Sequence, residues 1–220
     1  MNIHIGYDSA QDIAYSVCRH SIIKNTCNKD ICISKISCDS VVGYNRQHDP
    51  LASTPFTYAR FYIPFVNDYK GCSIFCDGDF LFLEDIQKLS DQFDPRYAVQ
   101  VVKHDYTPSN TLKMNDKPQS IYPRKNWSSL ILWNNAHPKN RQLDCNLLNN
   151  ASGSFLHRFQ WLDDADIGEI SYEWNWLVGW YTATNTILPK ALHFTEGGPW
   201  LEEYKNCEYS DAWLKYKNEI

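Results

Sequence analysis

The stretch Cys72-Ser73-Ile74-Phe75-Cys76-Asp77-Gly78-Asp79 decides the fold class of this 220-residue chain. Its first five residues form an apolar run of strand length, and two carboxylates separated by one glycine follow at once. Other apolar or alternating runs recur along the chain, and helix-like segments separate them. Strands that alternate with helices predict an α/β domain with a mixed, mostly parallel central sheet flanked by helices.

The spacing of apolar residues indicates where the elements lie. Strands are predicted at residues 2–8, 31–36, 72–76, 97–103, 129–133 and 191–194, helices at 10–24, 54–64, 85–93 and 152–161, and a loop at 42–54. Asp8 or Ser9 is expected to cap the first helix, and Ser152 or Ser154 the last. The first helix is expected to bury one face, made of Ile13, Ala14, Val17, Cys18 and Ile22.

Length, composition and charge narrow the class of protein. Hydrophobic residues make up 43% and charged residues 21% of the chain, as in an ordinary globular protein. No apolar run is long enough to cross a membrane, and residues 1–6 show no signal-peptide pattern. We therefore expect a single cytoplasmic domain over 1–220. The net charge of −5 argues against nucleic acid as the main partner, because phosphates favour a basic surface.

The cysteines and tryptophans are distributed differently. Eight cysteines stand at positions 18, 27, 32, 38, 72, 76, 145 and 207 without the spacing typical of zinc sites. We expect reduced, mostly buried thiols rather than disulfides. All eight tryptophans fall at or after Trp127. This asymmetry suggests two halves with different roles, one over about 1–126 and one over about 127–205.

Polar motifs stand where predicted strands end, which is where open α/β sheets bind ligands. Asp77 and Asp79 can reach one divalent cation, and Gly78 lets backbone approach a ligand. The same spacing also suits a simple turn, and it recurs at 164–166. His193 precedes a Gly-Gly-Pro turn. It is interpreted either as a core histidine or as an imidazole ligand that would favour Mn²⁺ over Mg²⁺.

Three further sets of candidate residues also have purely structural interpretations. Arg60 lies among apolar residues and, taken alone, is expected to extend its charged end to solvent. The acidic run at 162–166 suits a solvated loop, or carboxylates beside a reacting sugar carbon. Trp127, Trp174 and Trp200 suit a hydrophobic core, or flat platforms for sugar rings in a cleft.

Taken together, these motifs resemble glycosyltransferase family 8. The ordered series is Gly6-Tyr7-Asp8, Tyr58-Ala59-Arg60, Asp77-Gly78-Asp79, Trp174-Asn175 and His193 with Gly197-Gly198-Pro199-Trp200. The chain is most similar to a small bacterial-type subgroup, which shares stretches such as 94–105, 122–129 and 173–179. The resemblance covers about residues 1–205 and implies a single GT-A (Rossmann-like) domain, with a nucleotide and metal half over about 1–126 and a sugar and acceptor half over about 127–205.

The resemblance also implies an activity, its cofactor and its partners. A metal-dependent, hexosyltransferase-like enzyme would move a sugar from a nucleotide-diphosphate donor, usually UDP-linked, to a saccharide or other hydroxyl acceptor, with retention of configuration. Mn²⁺, or Mg²⁺, would neutralise the departing diphosphate. Asp77, Asp79 and His193 would hold that metal.

Other positions take roles from the same resemblance. Arg60 would reach the donor sugar or the diphosphate, and Asp163 or Asp164 would balance charge on the transferred sugar. The remaining residues expected to contact the donor are Gly6, Tyr7, Asp8, Gly78, Lys103, Ser128, Trp174, Asn175, Gly197 and Gly198.

The chain departs from the family pattern in two places. The family has a lysine before Pro-Trp, where this chain has Gly198, so the metal, backbone N–H groups or another cation such as Lys103 or Lys125 would have to meet the diphosphate charge. The family's Asn-Ala-Gly stretch is Trp127-Ser128-Ser129 here, which alters the expected sugar pocket.

Two alternative functions remain at this stage. The first is a nucleotidyltransferase, although the loop after the first strand lacks the Lys or Arg typical of that class. The second is a catalytically silent nucleotide-sugar-binding domain. The complete set of Asp77, Asp79 and His193 argues against this silent domain.

Overall fold

The computed structural model describes residues 1–47, 49, 52, 54–105 and 123–220. Within them the strands are β1 (Asn2–Gly6), β2 (Cys32–Ile36), β3 (Cys72–Cys76), β4 (Phe80–Phe82), β5 (Val99–Val101), β6 (Leu130–Asn134), β7 (Ile167–Glu169), β8 (Trp176–Leu177) and β9 (Ala191–His193). The α-helices are α1 (Asp12–Asn25), α2 (Ile63–Val66), α3 (Gln87–Ser90), α4 (Cys145–Asn150), α5 (Gly153–His157) and α6 (Ser210–Lys217). Short 3₁₀ turns connect several of these elements.

The larger sheet has the strand order β2-β1-β3-β6-β5-β7. The pairs β1–β2, β1–β3 and β5–β7 are parallel, and β6 runs antiparallel to both of its neighbours. The carboxyl ends of β1, β3, β5 and β7 therefore meet at one edge, together with the start of β6. This is the mixed, mostly parallel sheet that the sequence predicts.

Both faces of the larger sheet are buried, which explains why β3 and β6 are apolar without alternation. Phe75 and Trp133 belong to the hydrophobic cluster on one face, while Ile74 and Leu132 belong to the cluster on the other. Helix α1 packs against β1, β4 and α6, and α2 packs against β6. Helices on both sides of the sheet thus exclude water from it.

A smaller sheet, in the order β4-β9-β8, adjoins the larger one. Only Asp77, Gly78 and Asp79 separate β3 of the larger sheet from β4 of the smaller sheet. Phe80 of β4 pairs with His193 of β9, and His193 also pairs with Leu177 of β8. The register of the smaller sheet therefore places His193 beside the Asp-x-Asp motif.

Several predicted details need correction. Ile13 is 36% exposed, and Ser21 joins Ala14, Val17, Cys18 and Ile22 on the buried face of α1. Residues 59–62 form a 3₁₀ turn before α2, in place of one continuous α-helix over 54–64. Asp8 caps the 3₁₀ turn that precedes α1, with its side chain accepting from the Ala10 N–H, and Ser152 caps α5.

The thiols are unpaired, as expected, but they are less buried than expected. All eight cysteines are free, and of these Cys18, Cys38 and Cys76 are buried while Cys27 and Cys32 are exposed. No helix within the described ranges has the length and apolar character required to cross a membrane. Four positions of the predicted loop at 42–54, and position 122 of a quoted motif, lie outside the described residues.

Candidate active site

The motifs after β1 and β3 line one narrow cleft at the carboxyl edge of the larger sheet. Gly6 and Asp8 contribute from the first motif, and Gly78 and Asp79 from the second. The remaining lining residues are Gln11, Ala14, Tyr15, Thr54 and Phe56, and the cavity measures about 30 Å³. The structure thus brings together two motifs that are about 70 positions apart in the chain.

Asp77, Asp79 and His193 converge at this edge. One potential ligand atom from each lies within 4.8 Å of the others. His193 Nε2 is 3.5 Å from Asp79 Oδ1. The His193 side chain is 2% exposed and that of Asp79 is 15% exposed, so the cluster is largely shielded from water. The three residues predicted to hold a metal therefore form one cluster.

A hydrogen-bond chain determines which nitrogen of His193 faces the carboxylates. The Asn175 side-chain NH₂ donates to Ser129 Oγ at 2.9 Å, which leaves Asn175 Oδ1 as an acceptor. His193 Nδ1 lies 2.9 Å from that oxygen and therefore carries the proton. In a neutral imidazole the other nitrogen, Nε2, then presents a lone pair. Metal-binding histidines typically have this arrangement, because the second hydrogen bond orients the ring.

The donor set fits a divalent cation. Asp79 Oδ1 is buried and accepts no hydrogen bond from the described residues. A lone pair on His193 Nε2 and a carboxylate oxygen at 3.5 Å would repel each other unless a positive charge lay between them. Two carboxylates and one imidazole are suitable ligands for Mn²⁺ and Mg²⁺, and the imidazole favours Mn²⁺.

Arg60 is buried beside Asp77 and does not extend to solvent, which corrects the interpretation of this residue taken alone. Its Nη1 lies 3.0 Å from Asp77 Oδ1 and donates to the Ser128 carbonyl oxygen at 2.8 Å. Its Nε donates to the Thr57 carbonyl oxygen at 3.1 Å. Arg60 is 6% exposed, so its charge is held by these fixed partners. The guanidinium orients Asp77 and offsets part of the negative charge of the cluster.

Gly78 is required by a close backbone approach. A Cβ at this position would lie 2.6 Å from the carbonyl oxygen of Gly6, a distance that Cβ atoms do not adopt. Gly6 is similarly restricted, because a Cβ there would lie 2.5 Å from the Phe56 ring. The two glycines thus allow the ends of β1 and β3 to pack at the cleft.

The Gly-Gly-Pro-Trp turn packs closely against its neighbours. Gly197 has a φ of +144°, and a Cβ there would lie 2.5 Å from the Tyr204 ring. Its N–H donates to the Phe194 carbonyl oxygen, so this N–H is not directed at a ligand. A Cβ on Gly198 would lie 2.0 Å from the Trp200 ring. Trp200 Nε1 donates to Gln11 Oε1, which connects this turn to the cleft.

Comparison with known proteins was made by sequence and by structure. No family model matches the chain. Over 222 residues it is 45% identical to Protein CDI of Arabidopsis thaliana, a match that covers 99% of this chain and 86% of that protein. The chain belongs to the family of Protein CDI. That name states no activity, so the relationship by itself assigns none to the family.

Several solved structures with the same fold are glycosyltransferases. GlyE from Streptococcus pneumoniae TIGR4 has a TM-score of 0.63 at 13% identity, over 98% of this CDI-family chain and 59% of the GlyE chain. The galactosyltransferase LgtC was solved with donor and acceptor sugar analogs. It has a TM-score of 0.60 at 12% identity, over 100% of this chain and 96% of the LgtC chain. Mouse xyloside xylosyltransferase 1 has a TM-score of 0.55 at 9% identity, over 90% of this chain and 100% of the mouse chain.

These similarities confirm the predicted GT-A fold. The CDI-family chain spans about three fifths of the length of GlyE. Membership of glycosyltransferase family 8 stays a prediction, because identities of this size establish the fold alone.

The structure also defines the surroundings of three further predicted residues of the CDI-family chain. Asp163 and Asp164 precede β7, whose start is at the sheet edge opposite the carboxyl ends. Their exposed carboxylates pair with Lys139 and Arg124 respectively. Trp174 is fully buried in the hydrophobic core, so its ring offers no face to a cleft. The burial of Trp174 corrects its expected place in a cleft, whereas a role for Asp163 or Asp164 beside the transferred sugar stays a prediction.

The other expected contacts differ in exposure. Lys125 and Ser128 are buried, whereas Lys103 is half-buried and lies 6.0 Å from the centre of the Trp127 ring. The Tyr7 hydroxyl donates to Asp12 Oδ1 at 2.9 Å, which raises the pKa of Tyr7. Of these residues, Ser128 is tied to the cluster most directly, because its carbonyl oxygen accepts from Arg60.

Two histidines of the site were missed by sequence analysis. His157 Nδ1 lies 2.8 Å from Ser128 Oγ, and its ring packs edge-on against Phe61. His104 follows β5, and its Nδ1 lies 2.8 Å from the Tyr181 hydroxyl. Burial, with a smaller effect from His193, lowers the pKa of His104 to about 3, so this ring is neutral at physiological pH. His104 stands in the polar stretch Lys103-His104-Asp105 at the end of the predicted strand 97–103, which is a usable signal, whereas His157 stands in an apolar helix without one.

Proposed function

We propose that this chain is a metal-dependent glycosyltransferase that moves a sugar from a nucleotide-diphosphate donor to a hydroxyl acceptor. The observation that carries the proposal is the cluster of Asp77, Asp79 and His193. The cluster adjoins the cleft lined by Gly6, Asp8, Gly78 and Asp79. The GT-A fold, which this chain shares with three glycosyltransferases, supports the same reaction class.

The residues of the cluster have distinct tasks in this proposal. Asp77, Asp79 and His193 Nε2 would hold Mn²⁺, which supplies Lewis acidity that offsets the charge on the departing diphosphate. Arg60 keeps Asp77 oriented through its 3.0 Å contact. Asn175 keeps the proton of His193 on Nδ1, so that Nε2 stays available as a ligand.

The donor would lie along the cleft at the ends of β1 and β3. Gly6, Tyr7 and Asp8 would meet the nucleoside, usually uridine in glycosyltransferases of this kind. The diphosphate would lie beside the cluster, where Gly78 allows close approach to the backbone. Lys125, on the segment before β6, would meet part of its remaining charge.

The reaction exchanges one bond for another. The bond between the anomeric carbon and the diphosphate oxygen breaks, and a bond from that carbon to the acceptor oxygen forms. The acceptor proton passes to the departing diphosphate, so no additional base is required. We propose that this exchange takes place on one face of the sugar, with retention of configuration.

A donor panel with a matched variant tests the proposal. The full chain is incubated with Mn²⁺ and UDP-, GDP-, ADP- or CDP-sugars, and the free nucleoside diphosphate released is measured. Wild-type protein should release the diphosphate from one donor class. Asp79→Asn should reduce the rate to background while its circular dichroism spectrum remains that of the wild type, because the variant loses a ligand oxygen.

Asp68→Asn is the matched control, because it makes the same chemical change in a side chain that is 84% exposed. It should turn over at the wild-type rate. Normal turnover by Asp79→Asn would refute the metal assignment. Tight binding of a nucleotide sugar without release of diphosphate would instead favour a silent binding domain, and release of pyrophosphate from a nucleoside triphosphate would favour a nucleotidyltransferase.

A further inference from the structure

A second and larger groove opens beyond the carboxyl ends of β5 and β7. It measures about 340 Å³, which lies within the range of small-molecule sites. Lys103 lines it after β5, and Glu169 and Tyr172 line it at the end of β7 and beyond. Trp176, Tyr181 and Thr182 complete the wall on the side of the smaller sheet. None of the nine residues that line this groove belongs to the metal cluster.

Aromatic rings form one wall of the groove. Tyr172 and Trp176 are stacked with centroids 5.8 Å apart, and Tyr181 packs against Tyr172 at 5.1 Å. Tyr172 is 37% exposed, although aromatic rings usually bury more of their surface. Its ring therefore offers an accessible flat face, supported from behind by Trp176. A flat aromatic face of this kind suits the apolar C–H face of a sugar ring.

Polar groups of both signs line the rest of the groove. Lys103 carries a positive charge and Glu169 a negative charge, and Thr182 adds a hydroxyl. A ligand with a strong net charge would face one like-charged neighbour in this groove. A neutral ligand rich in hydroxyl groups could donate to Glu169 and accept from Lys103. The lining therefore favours a neutral saccharide.

A buried pair of side chains connects the groove to the metal cluster. The Tyr181 hydroxyl, on the groove wall, lies 2.8 Å from His104 Nδ1. His104 is 6% exposed and close enough to His193 for an electrostatic effect on its pKa. Its Nε2 is buried without a hydrogen-bond partner among the described residues. The groove and the cluster thus adjoin through Tyr181 and His104.

We infer that this groove is the acceptor site, and that it binds a neutral pyranose against the face of Tyr172. The inference rests on the proposed glycosyl transfer and adds the class and location of the acceptor. Tyr172 supplies the stacking surface, and Lys103 and Glu169 bind hydroxyl groups of the sugar. Bound there, a saccharide lies next to the wall that leads through Tyr181 to His104 and the cluster.

Saturation-transfer NMR on the full chain tests the inference directly. The probes are methyl β-glucopyranoside, methyl β-galactopyranoside, methyl α-mannopyranoside and methyl β-xylopyranoside, each titrated without donor. At least one should bind the wild type. Tyr172→Ala should weaken its binding about tenfold, because it removes a stacking contact worth about 1.4 kcal/mol. Tyr172→Phe keeps the ring and should bind as the wild type does.

A second variant fills the groove from position 182. Thr182 is exposed, so Thr182→Trp should fold normally and abolish binding of the same probe. Unchanged binding in Tyr172→Ala and Thr182→Trp would overturn the inference, as would the absence of binding by every probe. Displacement of the sugar by uridine would also overturn it, because the groove would then be a nucleoside site.

The outcome can be separated from that of the proposed function. Release of nucleoside diphosphate into water by the wild type needs the donor site alone, whereas binding of the sugar probes needs the groove alone. If the wild type releases diphosphate but Tyr172→Ala binds every sugar probe as the wild type does, the acceptor inference alone fails. If sugars bind the groove and no donor is cleaved, the proposed glycosyl transfer fails.

Discussion

At the residue scale, one hydrogen bond decides whether His193 can act as a ligand. Asn175 Oδ1 accepts from Nδ1 and keeps the lone pair on Nε2, the nitrogen beside Asp79. We predict that Asn175→Leu lowers Mn²⁺ affinity about 10- to 100-fold, as other losses of such supporting bonds do. Isothermal titration with Mn²⁺ measures this affinity. Asn175→Asp keeps an acceptor oxygen and should therefore lose less Mn²⁺ affinity than Asn175→Leu. Equal Mn²⁺ affinities for the wild type and Asn175→Leu would contradict the orienting role of Asn175.

Gly78 provides a second residue-scale prediction. Its missing side chain leaves room for the Gly6 carbonyl oxygen, which would lie 2.6 Å from an added Cβ. Gly78→Ala must displace backbone, so we expect a loss of about 1–3 kcal/mol in the free energy of unfolding. Urea denaturation measures it. Gly71→Asn is the control, because Gly71 has a φ of +65° that Asn tolerates, and nothing lies within 4 Å of an added Cβ. Equal losses in both variants would contradict the packing argument.

At the element scale, β1 contains a histidine that makes stability depend on pH. Burial lowers the pKa of His4 to about 4, although its hydrogen bond with Asn67 opposes this shift. The unfolded chain binds a proton near pH 6.5, whereas the folded chain does so only near pH 4. The unfolded state therefore binds more protons between these values, and the free energy of unfolding falls as the pH falls through this window.

Comparison with a variant isolates the contribution of His4. We predict that the wild type loses up to about 1.4 kcal/mol per pH unit from this residue between pH 6 and pH 4.5. His4→Gln has no titrating ring, so its unfolding free energy should fall less steeply. Urea midpoints at several pH values measure both slopes. Identical slopes would show that His4 does not contribute.

The elements differ in how well their sequences predict them. β3 is long, apolar and buried on both faces, so its pattern is clear and its observed bounds match those predicted. The segment around Arg60 is harder to predict from sequence, because the side chain contacts Asp77 and Ser128, which are distant in the chain. The Asp-Asp-His cluster follows from strand ends and a family resemblance. The ion pairs of Asp163 with Lys139 and of Asp164 with Arg124 join segments that are distant in the chain, and local spacing does not encode them.

At the scale of the whole molecule, the proposed cation would join two sheets. Asp77 directly follows β3 of the larger sheet, Asp79 directly precedes β4 of the smaller sheet, and His193 ends β9 of the smaller sheet. A ligand that binds only the folded state at 100 times its Kd adds about 2.7 kcal/mol to the free energy of unfolding. For a chain of this size we predict that Mn²⁺ raises Tm by roughly 5–10 °C. Differential scanning fluorimetry measures this, and the same rise in Asp79→Asn would contradict it.

The metal cluster and the groove use different parts of the smaller sheet, and this affects how sequences of the family can diverge. Sheet register holds His193 opposite Phe80, while Tyr181 and Thr182 lie on the connection between β8 and β9. Mutations, insertions or deletions in that connection can reshape the groove and leave the cluster intact. Under the proposed function, relatives would in this way acquire new acceptors while they keep the same metal cluster. Exchange of this one connection between relatives is a direct route to engineered specificity.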